Sequence, residues 1–122
     1  MRIRLIAFAL IAAATTAAQA APATTPATPL ASCVDLAPGH ESFHFGSQYL
    51  LVRDGEHHYR VSFGGDCDAL LHGQVDISTS GTANQLCPDS TRVSARTYVC
   101  QVRSVDEIDA AAYDRYRARV SR

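Results

Sequence analysis

The alternation of apolar and polar positions is clearest in the middle of the chain. Residues 48–63, QYLLVRDGEHHYRVSF, read as two strand-like runs joined at Asp54 and Gly55, a dipeptide suited to a two-residue hairpin turn. A turn at that dipeptide sets Arg53 opposite Glu56, Val52 opposite His57, Leu51 opposite His58, Leu50 opposite Tyr59 and Tyr49 opposite Arg60. Successive strand side chains point to opposite faces, so Leu50, Val52, His57, Tyr59 and Val61 share the face expected to meet the core. Tyr49, Leu51, Arg53, Glu56, His58 and Arg60 share the wetter face, with an ion pair and an arginine-to-ring contact between the strands.

The same period recurs on either side. Phe43 and Phe45 flank His44, which turns the two rings inward and the histidine outward. Val75 and Ile77 alternate within Gln74–Thr79, and TRVSARTYVCQVRSV at 91–105 continues strand-like with Tyr98, Cys100 and Val102 on one side. SGTANQLCPDS, residues 80–90, is a loop between them. The period then changes. Ser104 with Glu107 reads as a capping box, and Ile108, Ala111, Ala112, Tyr116 and Arg119 recur at helical spacing, which predicts a C-terminal helix from about 105 to 119. Asp106, Glu107 and Asp109 would occupy its first turn and Arg115, Arg117 and Arg119 its end, as the helix macrodipole favours. Five to six short strands and one late helix make the chain all-β or mainly β, a small antiparallel barrel or sandwich.

The N-terminal region follows neither period. Arg2 and Arg4 precede an apolar run from Leu5 to Ala14, and small residues end at Ala20, the pattern of a secretory signal peptide over residues 1–20. The run is too short for a bilayer span of about 20 residues. LASC at Leu30–Cys33 resembles the box at which bacterial lipoproteins are lipidated. Residues 21–29 separate it from the apolar run, however, and lipidation of Cys33 would leave an odd number of cysteines to pair. Those residues contain only Ala, Pro and Thr, so 21–30 is expected to be an extended, mobile spacer and 31–122 a single domain. The destination is the periplasm or the exterior.

Four cysteines, Cys33, Cys67, Cys87 and Cys100, in an exported chain predict two disulfides. Spacing alone leaves three connectivities open. Cys33 with Cys100 and Cys67 with Cys87 is preferred, because it ties the start of the domain to a late strand and closes the central loop separately. Structural zinc commonly uses two cysteines two to four residues apart, whereas the closest pair here, Cys87 and Cys100, has twelve residues between.

Charge narrows the partners. Arg2 and Arg4 are two of eleven basic residues, there is no lysine, and all twelve acids follow residue 20, so the exported chain carries a formal −3 with histidines neutral. That balance argues against nucleic acid. His57 and His58 point to opposite faces and are poorly placed to share a metal ion, with His57 expected at the end of the core and His58 solvated. His40, His44 and His72 are scattered, and Asp66 and Asp68 flank Cys67 in a glycine-led turn without a calcium-loop pattern. No Gly-x-Ser-x-Gly, phosphate loop or His-Glu-x-x-His is present, and no motif calls for a cofactor or metal.

These features favour a monomeric, exported, non-catalytic binding or envelope-associated protein meeting a protein or envelope component. Arg115, Tyr116, Arg117 and Arg119 are the candidate partner-binding residues. One alternative is an inhibitor of a protease or other hydrolase presenting the Ser80–Ser90 loop. Another is a metal-binding protein or small hydrolase built on His57, His44 or His72 with Asp66 or Asp68. Cys33, LLV at Leu50–Val52, YRV at Tyr59–Val61, Cys67 followed by Leu70, LCPD at Leu86–Asp89 and CQV at Cys100–Val102 together resemble a bacterial family of small exported proteins catalogued only as a domain of unknown function. The resemblance covers residues 33 to about 105 and implies a cysteine-stapled, strand-rich exported domain, with no activity to carry over.

Overall fold

The computed structural model describes Ala13 and residues 27–121, so the expected signal peptide, Ala13 apart, and residues 21–26 of the expected spacer lie outside the described residues. In chain order the elements are β1 (Thr28–Pro29), β2 (Val34–Asp35), β3 (Glu41–Phe45), β4 (Tyr49–Asp54), β5 (His57–Ser62), a 3-10 turn (Asp68–Leu71), β6 (Asp76–Thr79), β7 (Thr82–Ala83), β8 (Gln85–Leu86), β9 (Thr91–Ala95), β10 (Tyr98–Gln101), β11 (Ser104–Ile108) and α1 (Ala110–Val120). Antiparallel pairing gives three sheets, ordered β1-β11-β5-β4-β3, β10-β9-β6-β7 and β2-β8. The two larger sheets enclose a core that includes Leu50, Val52, Val61, Ile77, Val93 and Val105. The expected mainly β architecture is therefore a sandwich and not a closed barrel. Among the described residues no helix is long and apolar enough to cross a membrane.

The central hairpin keeps its faces but changes its register. Asp54 pairs with His57, Arg53 with His58, Val52 with Tyr59 and Leu51 with Arg60, so the turn residues are Gly55 and Glu56, and Arg53 does not face Glu56. Gly55, at φ 60°, takes the first central position, where a II′ turn needs glycine. Asp54 stays in the strand, and its carboxylate accepts the Ala37 N–H at 3.3 Å. Moving the turn by one residue shifts each partner by two, and only an odd shift exchanges the faces of a strand.

The face expected to be wet is covered. α1 lies across it, burying Tyr113 with Leu51 and Ile108, while Phe43, Phe45, Tyr49, Ala112 and Tyr116 pack around them. This reverses the expected roles of the two histidines. His58 is only 8 % exposed and packs its ring 4.9 Å from that of Tyr113. His57 lies beyond the core with a 66 % exposed side chain, and its Nδ1 is 3.0 Å from Glu107 Oε1.

The C-terminal helix begins later than its spacing suggested. Residues Ser104–Ile108 form β11, paired with β5 from Ser104 opposite Ser62 to Ile108 opposite His58. Val105 enters the inter-sheet core, whereas Ile108 joins the layer under α1. A strand buried on both faces loses its two-residue alternation, and the three-residue step from Val105 to Ile108 then imitates a helix. Asp109 is the true N-cap, its carboxylate accepting the Ala112 N–H at 2.7 Å. Tyr113, absent from the expected apolar stripe, is the most buried helical residue, and Ala111 is exposed.

The start of the domain also moves. Thr28 and Pro29 pair with Glu107 and Asp106, and the Leu30 N–H donates to the Val105 carbonyl at 2.9 Å. The end of the expected spacer is thus an edge strand, a place where proline is tolerated because one side needs no donor.

The disulfides are Cys33–Cys87 and Cys67–Cys100, not the preferred pairing. Val34 pairs with Leu86 in the β2-β8 ribbon, and continuing that register by one residue sets Cys33 against Cys87. The second link joins the start of the 3-10 turn to β10. Separations of 54 and 33 residues correspond to roughly 4 kcal/mol each in the chain-entropy treatment. Two such links fit an oxidising compartment.

Candidate functional site

Arg60 sits on β5 on the face that α1 covers. Its Nη2 bonds Asp106 Oδ2 on the neighbouring β11 at 3.1 Å, in register across the strands. Its Nη1 donates to the Tyr116 hydroxyl on α1, also at 3.1 Å. The guanidinium carbon stands 5.6 Å from the Tyr49 ring centre, so the expected arginine-to-ring contact exists, although Tyr49 pairs directly with Ser62. These partners hold the guanidinium charged: the hydrogen bond to Tyr116 and, after it, the one to Asp106 raise its pKa, against the opposing effect of burial.

Beside this cluster runs a cleft of about 270 Å³, lined by Ala27, Arg60, Ile108, Ala112, Arg115, Tyr116 and Arg119. Arg115 and Arg119 are one helical turn apart, so their side chains fall on the same side of α1. Among the described residues neither guanidinium makes an ion pair or hydrogen bond. The cleft therefore gathers three cationic groups and a phenol, while among the described residues no carboxylate lines it. Placement in the last helical turn accounts for Arg117 and Arg119 through the macrodipole; it does not account for Arg115 or for the convergence with Arg60.

Three of the four expected partner-binding residues, Arg115, Tyr116 and Arg119, meet here. Arg117 does not, and lies instead with its guanidinium carbon 5.3 Å from the Phe43 ring centre. Arg60 is the residue that sequence reasoning missed as part of a site. Its signal was the face it shares with Tyr49 and Leu51: rings and aliphatic chains beside an arginine mark a covered surface.

The histidines of the metal or hydrolase reading do not converge. His44 Nδ1 lies 3.0 Å from the Gly46 carbonyl oxygen, His57 faces Glu107, and His72 stacks on Tyr98 with centres 4.0 Å apart. His40 Nδ1 is 2.8 Å from the Ala37 carbonyl oxygen. Asp66 accepts the Ser47 hydroxyl at 2.6 Å, apart from them all. Among the described residues no three His, Cys, Asp or Glu side chains form a set able to hold a metal ion.

The Ser80–Ser90 loop is partly ordered structure. β7 pairs with β6 around a turn at Ser80 and Gly81, both at positive φ, the geometry of a tight hairpin. The Thr91 hydroxyl accepts the Cys87 N–H at 2.6 Å and lies 2.8 Å from the Thr79 hydroxyl, which fixes the far end of the loop.

Comparison of the chain with protein-family models, with curated proteins and with solved structures finds no match, so the chemistry of the cleft rests on its own geometry.

Proposed function

We propose that the protein is an exported, non-catalytic binding module of the bacterial envelope, acting as a monomer in the periplasm or outside the cell, and that its binding site is the cleft beside α1. The observation that carries this reading is the convergence of Arg60, Arg115, Arg119 and Tyr116 on one cleft, on a scaffold braced by two disulfides. A braced scaffold presents such groups with little ordering cost on binding. The signal-like N-terminus and the resemblance over residues 33 to about 105 support the same compartment.

The test is co-sedimentation of the purified mature chain with isolated cell-envelope fractions. The wild type should pellet with the envelope, and Arg115→Ala/Arg119→Ala should stay in the supernatant. Equal pelleting of both would refute the reading. Intact mass of the exported chain should begin at Ala21.

A second reading, an inhibitor of a protease or other hydrolase, is favoured by one feature. Residues 80–84 are exposed at the tip of a hairpin whose base is tied to Cys33 through Cys87. Deleting Ser80–Asn84 without loss of inhibition of a target hydrolase would sink it.

A further inference from the structure

Building on the cleft as binding site, we propose that the group it receives is a phosphate monoester. Arg60 donates to the Tyr116 oxygen, so that hydroxyl accepts one bond and keeps its own proton free to donate. Arg115 and Arg119 add guanidinium donors and no acceptor, and neither is engaged by another described residue. Among the described residues, the side chains around the cleft thus offer donors, with the phenol oxygen as sole acceptor and already used. A sugar hydroxyl or an amide needs acceptors as well as donors. An oxyanion needs donors alone.

Charge selects among oxyanions. Asp106 balances Arg60 at 3.1 Å, which leaves the two charges of Arg115 and Arg119. A phosphate monoester carries about −1.5 to −2 at pH 7 and matches them, whereas a carboxylate would leave one unanswered. Ala27, Ile108 and Ala112 give the cleft an apolar side, suited to the first carbons of the esterified alcohol.

Calorimetric titration of the mature chain with glycerol 3-phosphate, in low-salt buffer free of phosphate at pH 7.5, tests this directly. The expected result is saturable binding at one site, with glucuronate weaker by about tenfold or more. Arg115→Ala and Arg119→Ala should each lose roughly ten- to hundredfold in affinity, the scale of one hydrogen bond to a charged group, and Arg115→Ala/Arg119→Ala more than either. Both arginines are exposed, so the variant should keep the wild-type urea midpoint. Arg117→Ala, outside the cleft, should bind as wild type. Affinity should fall between pH 7.5 and 5, because the second phosphate pKa is about 6.

Vesicles of phosphatidylcholine with and without phosphatidic acid distinguish the sources of the group. Selective pelleting with phosphatidic acid places the phosphate on a lipid headgroup, and binding of the free ester alone places it on a soluble ligand. No binding to either, glucuronate binding as tightly as the ester, or an unaffected double variant would each overturn the proposal. Envelope binding that still depends on Arg115 and Arg119 without any phosphate binding overturns this inference alone. Envelope binding independent of both arginines overturns the binding-module reading with it.

Discussion

Replacement of Tyr113 tests whether α1 is a structural layer or a loose appendage. Tyr113 is 1 % exposed, with its ring centre 5.2 Å from that of Phe43 in an edge-on contact and 4.9 Å from that of His58. Truncation to alanine removes about 2–3 kcal/mol of apolar burial and ring contacts of about 0.5–1.5 kcal/mol each. With incomplete collapse of the cavity, the expected loss is about 3–5 kcal/mol, a large fraction of the roughly 5–14 kcal/mol available to a domain of this size. The hydroxyl behaves oppositely. It is buried without a hydrogen-bond partner among the described residues, and burial raises its pKa against the smaller pull of nearby Arg117 and Arg53. Tyr113→Phe should therefore be neutral or stabilising by up to about 1–3 kcal/mol. Urea unfolding of the oxidised protein, followed by circular dichroism, measures both. A loss below about 1 kcal/mol in the alanine variant, or above about 1 kcal/mol in the phenylalanine variant, would refute this account of the helix-to-sheet layer.

Three further outcomes are expected. Non-reducing digestion at aspartates, which cuts before Asp68 and Asp76 and so separates Cys67 from Cys87, should yield peptides linked as Cys33–Cys87 and Cys67–Cys100; a Cys67–Cys87 peptide would contradict the fold. Asp109→Ala should cost about 0.5–2 kcal/mol as a lost N-cap, while Ser104→Ala, at an exposed position of β11, should change urea stability by less than about 0.5 kcal/mol. His57 should titrate above its ordinary 6.5 in an NMR pH series, first because of its hydrogen bond to Glu107 and then the charge of that carboxylate. Glu107→Gln should bring it back toward that value. A raised folded-state pKa means that the pair favours folding below the unfolded pKa and loses this as pH rises through the folded one.

What the sequence disclosed is what local patterns encode. The alternation in β4 and β5 correctly sorted Leu50, Val52, Tyr59 and Val61 from Leu51, His58 and Arg60, because that sorting depends on strand period alone. Register depended on where Gly55 sat within the turn, and the dipeptide did not decide it. The state of the cysteines was legible from their number and the signal-like N-terminus, but their partners were not, since Cys33 meets Cys87 through β2 and β8, two-residue strands without a pattern of their own. The covered second face was hidden for a different reason. Phe43, Phe45, Tyr49 and Leu51 all point to it, yet the rings of β3 and the residues of β4 were weighed separately. Only their sum shows a surface too apolar for water, and with it the setting of Arg60.

The cleft and the stability of α1 are therefore one problem. An eleven-residue helix is shorter than the roughly 12–15 residues at which isolated helices become even marginally stable, so α1 owes its order to Tyr113, Ile108 and the rings of β3. Arg115, Tyr116 and Arg119 take their places in the cleft only when that packing holds, and Arg60 reaches Tyr116 only across the same interface. An anion bound between Arg60 on the sheet and Arg115 and Arg119 on the helix would span the two layers and bind the docked state alone. At a hundredfold excess over its Kd such a ligand would add about 2.7 kcal/mol to stability, enough to offset much of the loss in Tyr113→Ala. Binding and helix docking in this protein then have a common energetic basis, and a substitution under α1 should weaken the site without touching any residue that lines it.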